Sequence, residues 1–407
     1  MAERALAFPE GVPETVASLF THDQRDVLLA LRRDLHQHPE LAFAEERTCE
    51  ALERALSVAN PVSVQRVAGT GLVARIRGRD PNAPVVALRG DIDALPIGEA
   101  TGLSYSSAHD GVMHACGHDV HATWAVGAAY LLASRPAAGD VLVVLQPAEE
   151  IGQGAVAVLQ SGALDGVSAI FGAHVDRRFA VGQVVVQAGP LAAAADTFSI
   201  TLTGRGAHGA RPHESADPVL GAGLLIAALQ GVVSRRVNPS VPAVLTVATM
   251  QAGSAPNVIP ESASIGGTLR SVDPHTRVLM ADAMRRIAQG IAAAHDLTVV
   301  VRIEQGPPPV VNTEAETAWA REAAVLLLSS SAIVPLGMTN MAGEDFAFYL
   351  EHMPGAFLRI GAREPGGVAT PAHTPGFFAA DGSLFIGAAL LAETARIASA
   401  TLAQEAA

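Results

Sequence analysis

The chain has 407 residues and a formal net charge of −13, from 40 acidic residues and 27 basic ones, every one of them arginine. Without lysine there can be no Schiff base to a carbonyl substrate, no P-loop lysine and no Ser-x-x-Lys acyl-transfer site. The acidic balance speaks against a nucleic-acid partner, because neutralising phosphates needs basic patches.

Helical periodicity appears first over Asp23–Leu35 and again over Glu45–Leu56. Extended segments follow at Val62–Val67, Leu72–Arg77 and Pro84–Arg89, the last ending in the polar turn Gly90-Asp91. A helix over about Val120–Ser134 leads to a strand at Val141–Gln146. A further helix near Ala155–Leu159 leads to Ala169–His174. Short apolar strands alternating with helices predict a largely parallel α/β sheet, whose ligand site lies beyond the carboxyl ends of the strands. Chemistry is therefore expected just after Leu88, Leu145 and Phe171.

From about residue 191 to 304 the order changes to strand (Thr197–Thr203), helix (Pro218–Ser234), strands (Ala243–Gln251 and Ala263–Val272), helix (His275–Ala294) and strand (Leu297–Glu304). That βαββαβ order is the ferredoxin-like split unit. Helices at Glu314–Ser329 and Gly382–Ala398 resume the α/β pattern. The predicted architecture is a discontinuous α/β catalytic domain (1–190 and 305–407) interrupted by a ferredoxin-like lid (191–304).

Cys49 and Cys116 make no disulfide framework and fit a reducing compartment. The N-terminal MAERALAFPEGVPETV carries Glu and Pro where a signal peptide needs an apolar stretch. No apolar run approaches the ~18–20 residues of a membrane span. The expectation is a soluble cytoplasmic protein with neither nucleic acid nor membrane as partner.

The richest segment for chemistry is HDGVMHACGHDVH at 109–121, which holds four histidines, one cysteine and two aspartates in a chain with 14 His and 2 Cys. The thiolate and imidazole of Cys116-x-His118 suit zinc or a similar ion, whereas His114 and His121 could stand behind the metal or face solvent. Asp91 and Asp93 follow one strand, and Glu149-Glu150 another. Adjacent carboxylates beside a metal can divide the work of ligand and general base. His174 closes a third strand, and His373 sits in a Gly/Pro-rich loop.

Two segments mimic a dinucleotide fingerprint, Gly204–Gly209 and Gly152–Ala157. The first runs into two prolines and finds no acid from Val219 to Pro260, and the second is separated from its strand. Nicotinamide or flavin binding is rejected. No G-x-S-x-G elbow is present, which argues against a serine α/β-hydrolase.

Taken in order, RRDLHQHPELAFAE, LRGDIDALPI, HACGHDVH, LQPAEE, GAHV, GRGAHGARPHESADPV, NVIPESASIGGTLRSVD, AGEDFAFY and HTPGF resemble the M20 metallopeptidase family over about residues 28–398. The likeness is to its amidohydrolase branch, the hippurate, N-acyl-amino-acid and auxin-conjugate hydrolases. The resemblance implies a dinuclear metal hydrolase with a zinc-peptidase-like catalytic domain and a lid that forms a homodimer contact, with a tetramer as the larger alternative.

The ligands carried over are Cys116, His118, Glu150, His174 and His373, and Glu149 falls at the general base. Asp93 falls at the wider family's aspartate behind the metals. Asp91 stands where that family has a metal-binding histidine, so its role is open. His208 falls at the lid histidine that polarises the scissile carbonyl, and Asn257 and Arg270 at positions that hold the substrate carboxylate. The block His36-x-His38-Pro39-Glu40 also matches, but is read as closing a helix and packing its turn.

The implied reaction is hydrolysis of an N-acyl amino acid by a metal-activated water, with two divalent ions per subunit. Zn or Mn head the choices, and Co or Ni also suit the donor set. The alternatives are a small-peptide carboxypeptidase or dipeptidase of the same fold, a dinuclear phosphoesterase, and a non-catalytic binding relative. A phosphoesterase needs cationic clamps, for which Arg89 is the only obvious candidate. A binding relative would have lost a ligand or Glu149, and none is lost.

Overall fold

A computed structural model describes residues 7–406 of the protein, so part of the N-terminal stretch read against a signal peptide lies outside the described residues. Helices α1 (Glu14–Ala17), α2 (His22–Gln37) and α3 (Glu46–Leu56) precede a hairpin of β1 (Ser63–Val67) and β2 (Gly71–Ile76). Strands and helices then alternate through β3 (Val85–Asp91), α4 (His118–Ser134), β4 (Val141–Gln146), α5 (Gly154–Gln160) and β5 (Val167–Ala180). Short strands β6 (Val184–Val185) and β7 (Gly189–Ala192) lead to β8 (Ala194–Thr203) and β9 (Ala207–His208). Next come α6 (Pro218–Arg236), β10 (Ala243–Ala252), β11 (Val258–Ile259), β12 (Ser262–Ser271), α7 (Pro274–Ala294) and β13 (Thr298–Glu304). The last elements are β14 (Val310–Asn312), α8 (Glu314–Leu328), α9 (Ala347–Leu350), β15 (Gly355–Arg363) and α10 (Gly382–Glu405).

The chain forms two compact units. One comprises the residues up to Gly189, Asn312–Gly337 and Phe348 onwards; the other comprises Pro190–Val311 and Met338–Ala347. The first unit is built on a seven-stranded sheet in the order β1-β2-β4-β3-β5-β15-β6. The pairs β4-β3, β3-β5 and β5-β15 are parallel, and those towards either edge are antiparallel. The expected parallel sheet is thus the central four strands, with antiparallel additions on both sides.

Strand β15 (GAFLRIGAR) was not foreseen, because Arg359 and two glycines interrupt its apolar pattern. All nine of its residues except the last are buried. Helix α4 is buried on nearly every face, as expected for a helix apolar all round. Against it lies α10, where Gly387 accommodates the Trp124 ring. Burying such Leu, Val and Phe side chains contributes about 1.5–3 kcal/mol each. At the N-terminus of α2, Thr21 and Gln24 form a reciprocal capping box, which fixes where that helix begins.

In the second unit the sheet order is β10-β12-β8-β13, antiparallel throughout, which is the ferredoxin-like arrangement. Strand β8 alternates strictly, and Phe198, Ile200 and Leu202 face Leu225 and Leu229 of α6 and Met280 and Met284 of α7. Alternation with period two makes one face of the sheet the core.

Among the described residues two helices, α6 and α10, are long and apolar enough by length and composition to cross a membrane. Uninterrupted apolar runs did not reveal them, because small and polar residues break both sequences. Most of α10 is buried inside the first unit, as in a core helix.

Candidate metal centre

Three neighbouring parallel strands deliver polar groups to one place. Strand β3 runs into Asp91 and Asp93, β4 into Glu149 and Glu150, and β5 carries His174. Cys116 and His118 come from the turn that opens α4. Between them Gly117 has φ 89°, and a side chain there would meet Val175 Cγ2 at 2.4 Å. Only glycine combines that backbone with so close an approach.

Cys116 Sγ lies 3.2 Å from His174 Nε2. His118 Nε2 lies 3.8 Å from Glu150 Oε1 and 3.9 Å from Glu149 Oε2. His373 Nε2 lies 3.3 Å from the other Glu150 oxygen. The structure therefore gathers Cys116, His118, Glu149, Glu150, His174 and His373, drawn from distant parts of the sequence, into overlapping groups whose donor atoms lie within 4.8 Å.

The donor set fits a divalent metal on its own geometry. His118 Nε2 and Glu150 Oε1 are both buried with no hydrogen-bond partner among the described residues, an expensive state unless a cation completes them. His118 is oriented from behind, since its Nδ1 donates to the Asp93 carbonyl at 2.9 Å and to Asp93 Oδ1 at 3.1 Å. The second Asp93 oxygen accepts the Glu150 N–H at 3.0 Å. One carboxylate thus aims a histidine and fixes the backbone of its carboxylate neighbour.

Electrostatics agree. Burial, reinforced by Asp93 and Asp91, pushes the Glu150 carboxyl up to about 7. Burial and nearby Glu150 raise the Cys116 thiol. Burial works against protonated His118, yet Asp91 and Asp93 hold its proton well above the usual imidazole range. Each shift reports a negative field in a dry pocket, which favours a cation.

The lid residues lie in the second unit. His208 on β9 is exposed and pairs with Val258 of β11, beside exposed Asn257, whose carbonyl accepts the Gly209 N–H at 2.8 Å. His208 Nδ1 accepts the Ala210 N–H at 3.0 Å, so the neutral ring carries its proton on Nε2. Arg270 lies on β12 in register with Ala195 and Val244, and its guanidinium donates to the Met341 carbonyl at 3.4 Å.

Several supporting residues were missed by sequence reasoning. Buried Glu45 accepts the Ala148 N–H at 2.9 Å. Ala148 has φ 56°, a left-handed conformation costing about 1–2 kcal/mol, and this turn presents Glu149 and Glu150. Arg177 ties down the loop around His373, donating to Glu364 and to the Val368 carbonyl at 2.8 Å before it and to the Phe378 carbonyl at 2.8 Å after it. His373 itself has φ 62° and donates its N–H to the Ala115 carbonyl at 2.8 Å.

His36 does more than close a helix. It bonds Asp119 at 2.9 Å and Glu99 at 3.2 Å, while Arg32 bonds Asp119 at 2.8 Å. That buried cluster anchors the residue after His118. The expected closing role does describe its neighbours: His38 Nδ1 lies 2.9 Å from the Asp34 carbonyl, and Glu40 caps the start of α3 by accepting the Thr48 N–H at 2.8 Å. In the Gly204–Gly209 segment the chain forms strand β9 rather than opening a helix.

Cysteine, histidine and carboxylate donors gathered where parallel strands end suit a metal-dependent hydrolase. Comparison with known proteins makes this specific: the chain belongs to peptidase family M20/M25/M40, whose sequence profile matches residues 87–397. It is 44% identical over 336 residues to N-acetyl-L-cysteine deacetylase of Bacillus subtilis (strain 168), covering 82% of this chain and 80% of that protein. An IAA-amino acid hydrolase of Arabidopsis thaliana is 37% identical over 404 residues, covering 94% and 89%. The crystal structure of a Bacillus subtilis dinuclear metal-binding peptidase of the M20 family superimposes with a TM-score of 0.83 at 37% identity, covering 94% of this chain and 100% of that one. The protein is a metal-dependent amidohydrolase of the amidohydrolase branch.

Proposed function

We propose that the protein hydrolyses the amide bond of N-acyl amino acids, bearing acetyl, benzoyl or longer acyl groups, to a carboxylate and a free amino acid. The observation that carries this reading is the convergence of Glu149 with Cys116, His118, Glu150, His174 and His373. These five residues would hold two divalent ions, with zinc or manganese foremost. When bound, such ions polarise the amide carbonyl and acidify the attacking water.

Glu149 takes a proton from that water and returns it to the leaving amine nitrogen. Asp93 keeps His118 and Glu150 aimed. The Nε2–H of His208 donates to the carbonyl oxygen as it gains charge, a contribution of about 3–4 kcal/mol per donor. Asn257 and Arg270 hold the substrate carboxylate, for which a guanidinium offers a planar fork. The first unit acts as the catalytic domain and the second, which takes in Met338–Ala347 as well as Pro190–Val311, as the lid. Exposed Val219, Leu220 and Leu224 on α6 and Val244 on β10 support a homodimer formed through that lid. The unpaired cysteines support a cytoplasmic site of action.

The test is release of free amine from a panel of acetyl-, benzoyl- and longer-acyl amino acids by metal-quantified protein, with dipeptides alongside. Preference for dipeptides would replace this reading with a peptidase. Glu149→Gln should keep its metal and lose about 10²–10⁴ in turnover, and near-wild-type activity would remove Glu149 from its role. Arg270→Ala should raise KM more for free-acid substrates than for their amides. An equal rise for both would leave Arg270 without a part in carboxylate binding.

A further inference from the structure

Asp91 and His121 stand outside the donor set above, yet both are fully buried beside it. Their roles follow from where each proton must sit. His121 Nε2 accepts the Val175 N–H at 3.0 Å. The neutral ring therefore carries its proton on Nδ1, which donates to Asp91 Oδ1 at 2.6 Å. The other Asp91 oxygen is taken by the Arg89 guanidinium, whose Nε reaches Gln146 Oε1 at 2.9 Å. Trp124 stacks on the His121 ring with centroids 4.5 Å apart, so the ring has neither a spare nitrogen nor room to turn. Asp91, His118 and His121 present donor atoms within 4.8 Å of one another, but His121 has no lone pair left for a metal.

The Val175 backbone is held at both its N–H and its carbonyl. Its N–H goes to His121, and its carbonyl accepts His174 Nδ1–H at 2.7 Å. The second bond leaves Nε2 as the donor atom of His174, the atom that faces Cys116 Sγ. We propose that Arg89, Asp91 and His121 form a positioning chain that fixes the backbone of Val175 and, through its carbonyl, orients His174 Nε2 towards a metal, with Asp91 itself not a ligand.

The chain accounts for each residue type. Asp91 must be an acceptor towards both neighbours, which a carboxylate is and a carboxylic acid is not. Arg89 balances its charge where neither side chain reaches solvent. His121 must donate on one side and accept on the other, which a neutral imidazole does and a lysine or arginine does not. Gly90, between Arg89 and Asp91, lets α4 come close, since a side chain there would meet the His121 carbonyl at 2.4 Å. The proposal rests on the assignment of His174 as a ligand, and the experiment keeps the two apart.

Zinc affinity and stoichiometry of the metal-stripped protein are measured by competition with a chromophoric chelator, and cobalt(II) absorption reports coordination geometry. His121→Phe keeps the ring volume and removes both hydrogen bonds. It should weaken one of the two ions by about 10–100-fold and change the cobalt spectrum. His121→Gln, whose amide oxygen can still accept the Val175 N–H, should stay within a few-fold of wild type.

If His174→Ala loses an ion and His121→Phe binds both as wild type does, the positioning chain is wrong. If Asp91→Ala loses an ion while His121→Phe does not, Asp91 is a ligand and the chain is equally wrong. If His174→Ala keeps both affinities, the ligand assignment itself fails. Should His121→Phe not fold, Asp91→Asn must bind one ion more weakly than His121→Gln, and equal wild-type binding in both overturns the proposal.

Discussion

The two sides of the metal centre are built differently. Cys116, His118 and His174 are buried, and each histidine is aimed by the hydrogen bond that its Nδ1–H donates to a carbonyl of the sheet or its flanking turn. His373, by contrast, has a side chain 53% exposed and sits on a loop, held by its own backbone bond to Ala115 and by Arg177 from a distance. One side is set once the sheet and α4 have packed. The other depends on a loop that a few long-range contacts hold in place. A site arranged this way can keep one ion firmly while the exposed side stays accessible to substrate.

The contrast can be broken most directly at the proposed ligands. His174→Ala should cost about 100-fold or more in affinity for one ion, whereas His373→Ala should cost about 10-fold. Competitive titration of the metal-stripped protein measures both, and equal losses would mean that the two sides are equally organised. A smaller effect is expected at Arg177. Arg177→Ala removes charge-assisted bonds to the His373 loop, and should cost about 1.5–3 kcal/mol in urea unfolding while weakening the ion held by His373 more than the one held by His174. Loss of both ions in parallel would show that Arg177 supports the whole unit instead.

The smallest effect sharpens the buried side. Burial alone would raise the Glu99 carboxyl, but hydrogen bonds from His36, Thr101 and the Ser107 N–H hold it at about 2. A carboxyl depressed on folding contributes stability that is present above its ordinary value of 4.5 and is lost as pH falls towards 2. Between those limits Glu99→Gln should lose about 1–2 kcal/mol less than the parent chain, with screening allowed for. Unfolding curves in that window that stay parallel would remove Glu99 from the acid sensitivity.

The buried side was also the more legible in the sequence. Strand periodicity and the density of His and Cys at 109–121 placed donors at strand ends, because both signals are local. Glu45 and Arg177 were silent for the opposite reason. Their partners Ala148 and Val368 lie 103 and 191 positions away, and no local pattern marks a residue whose work is done at such separation. Asp91 and His121 were seen but not resolved, since a donor-rich segment gives residue types without saying which nitrogen carries a proton. Strand β5 was foreseen only to His174, because its continuation DRRFA is polar although it pairs as far as Ala180.

The position of β15 between β5 and β6 has a consequence for biogenesis. Both neighbours leave the ribosome before the entire second unit is made, and the strand that joins them follows it. Until then β5 and β6 border an unfilled slot with free strand edges, the kind of surface that attracts chaperones or foreign strands. Most of the second unit comes from one continuous stretch, Pro190–Val311, that is made before β15. Synthesis that stops short of Gly355 would therefore leave the sheet ending at β5, without His373 and without a complete site.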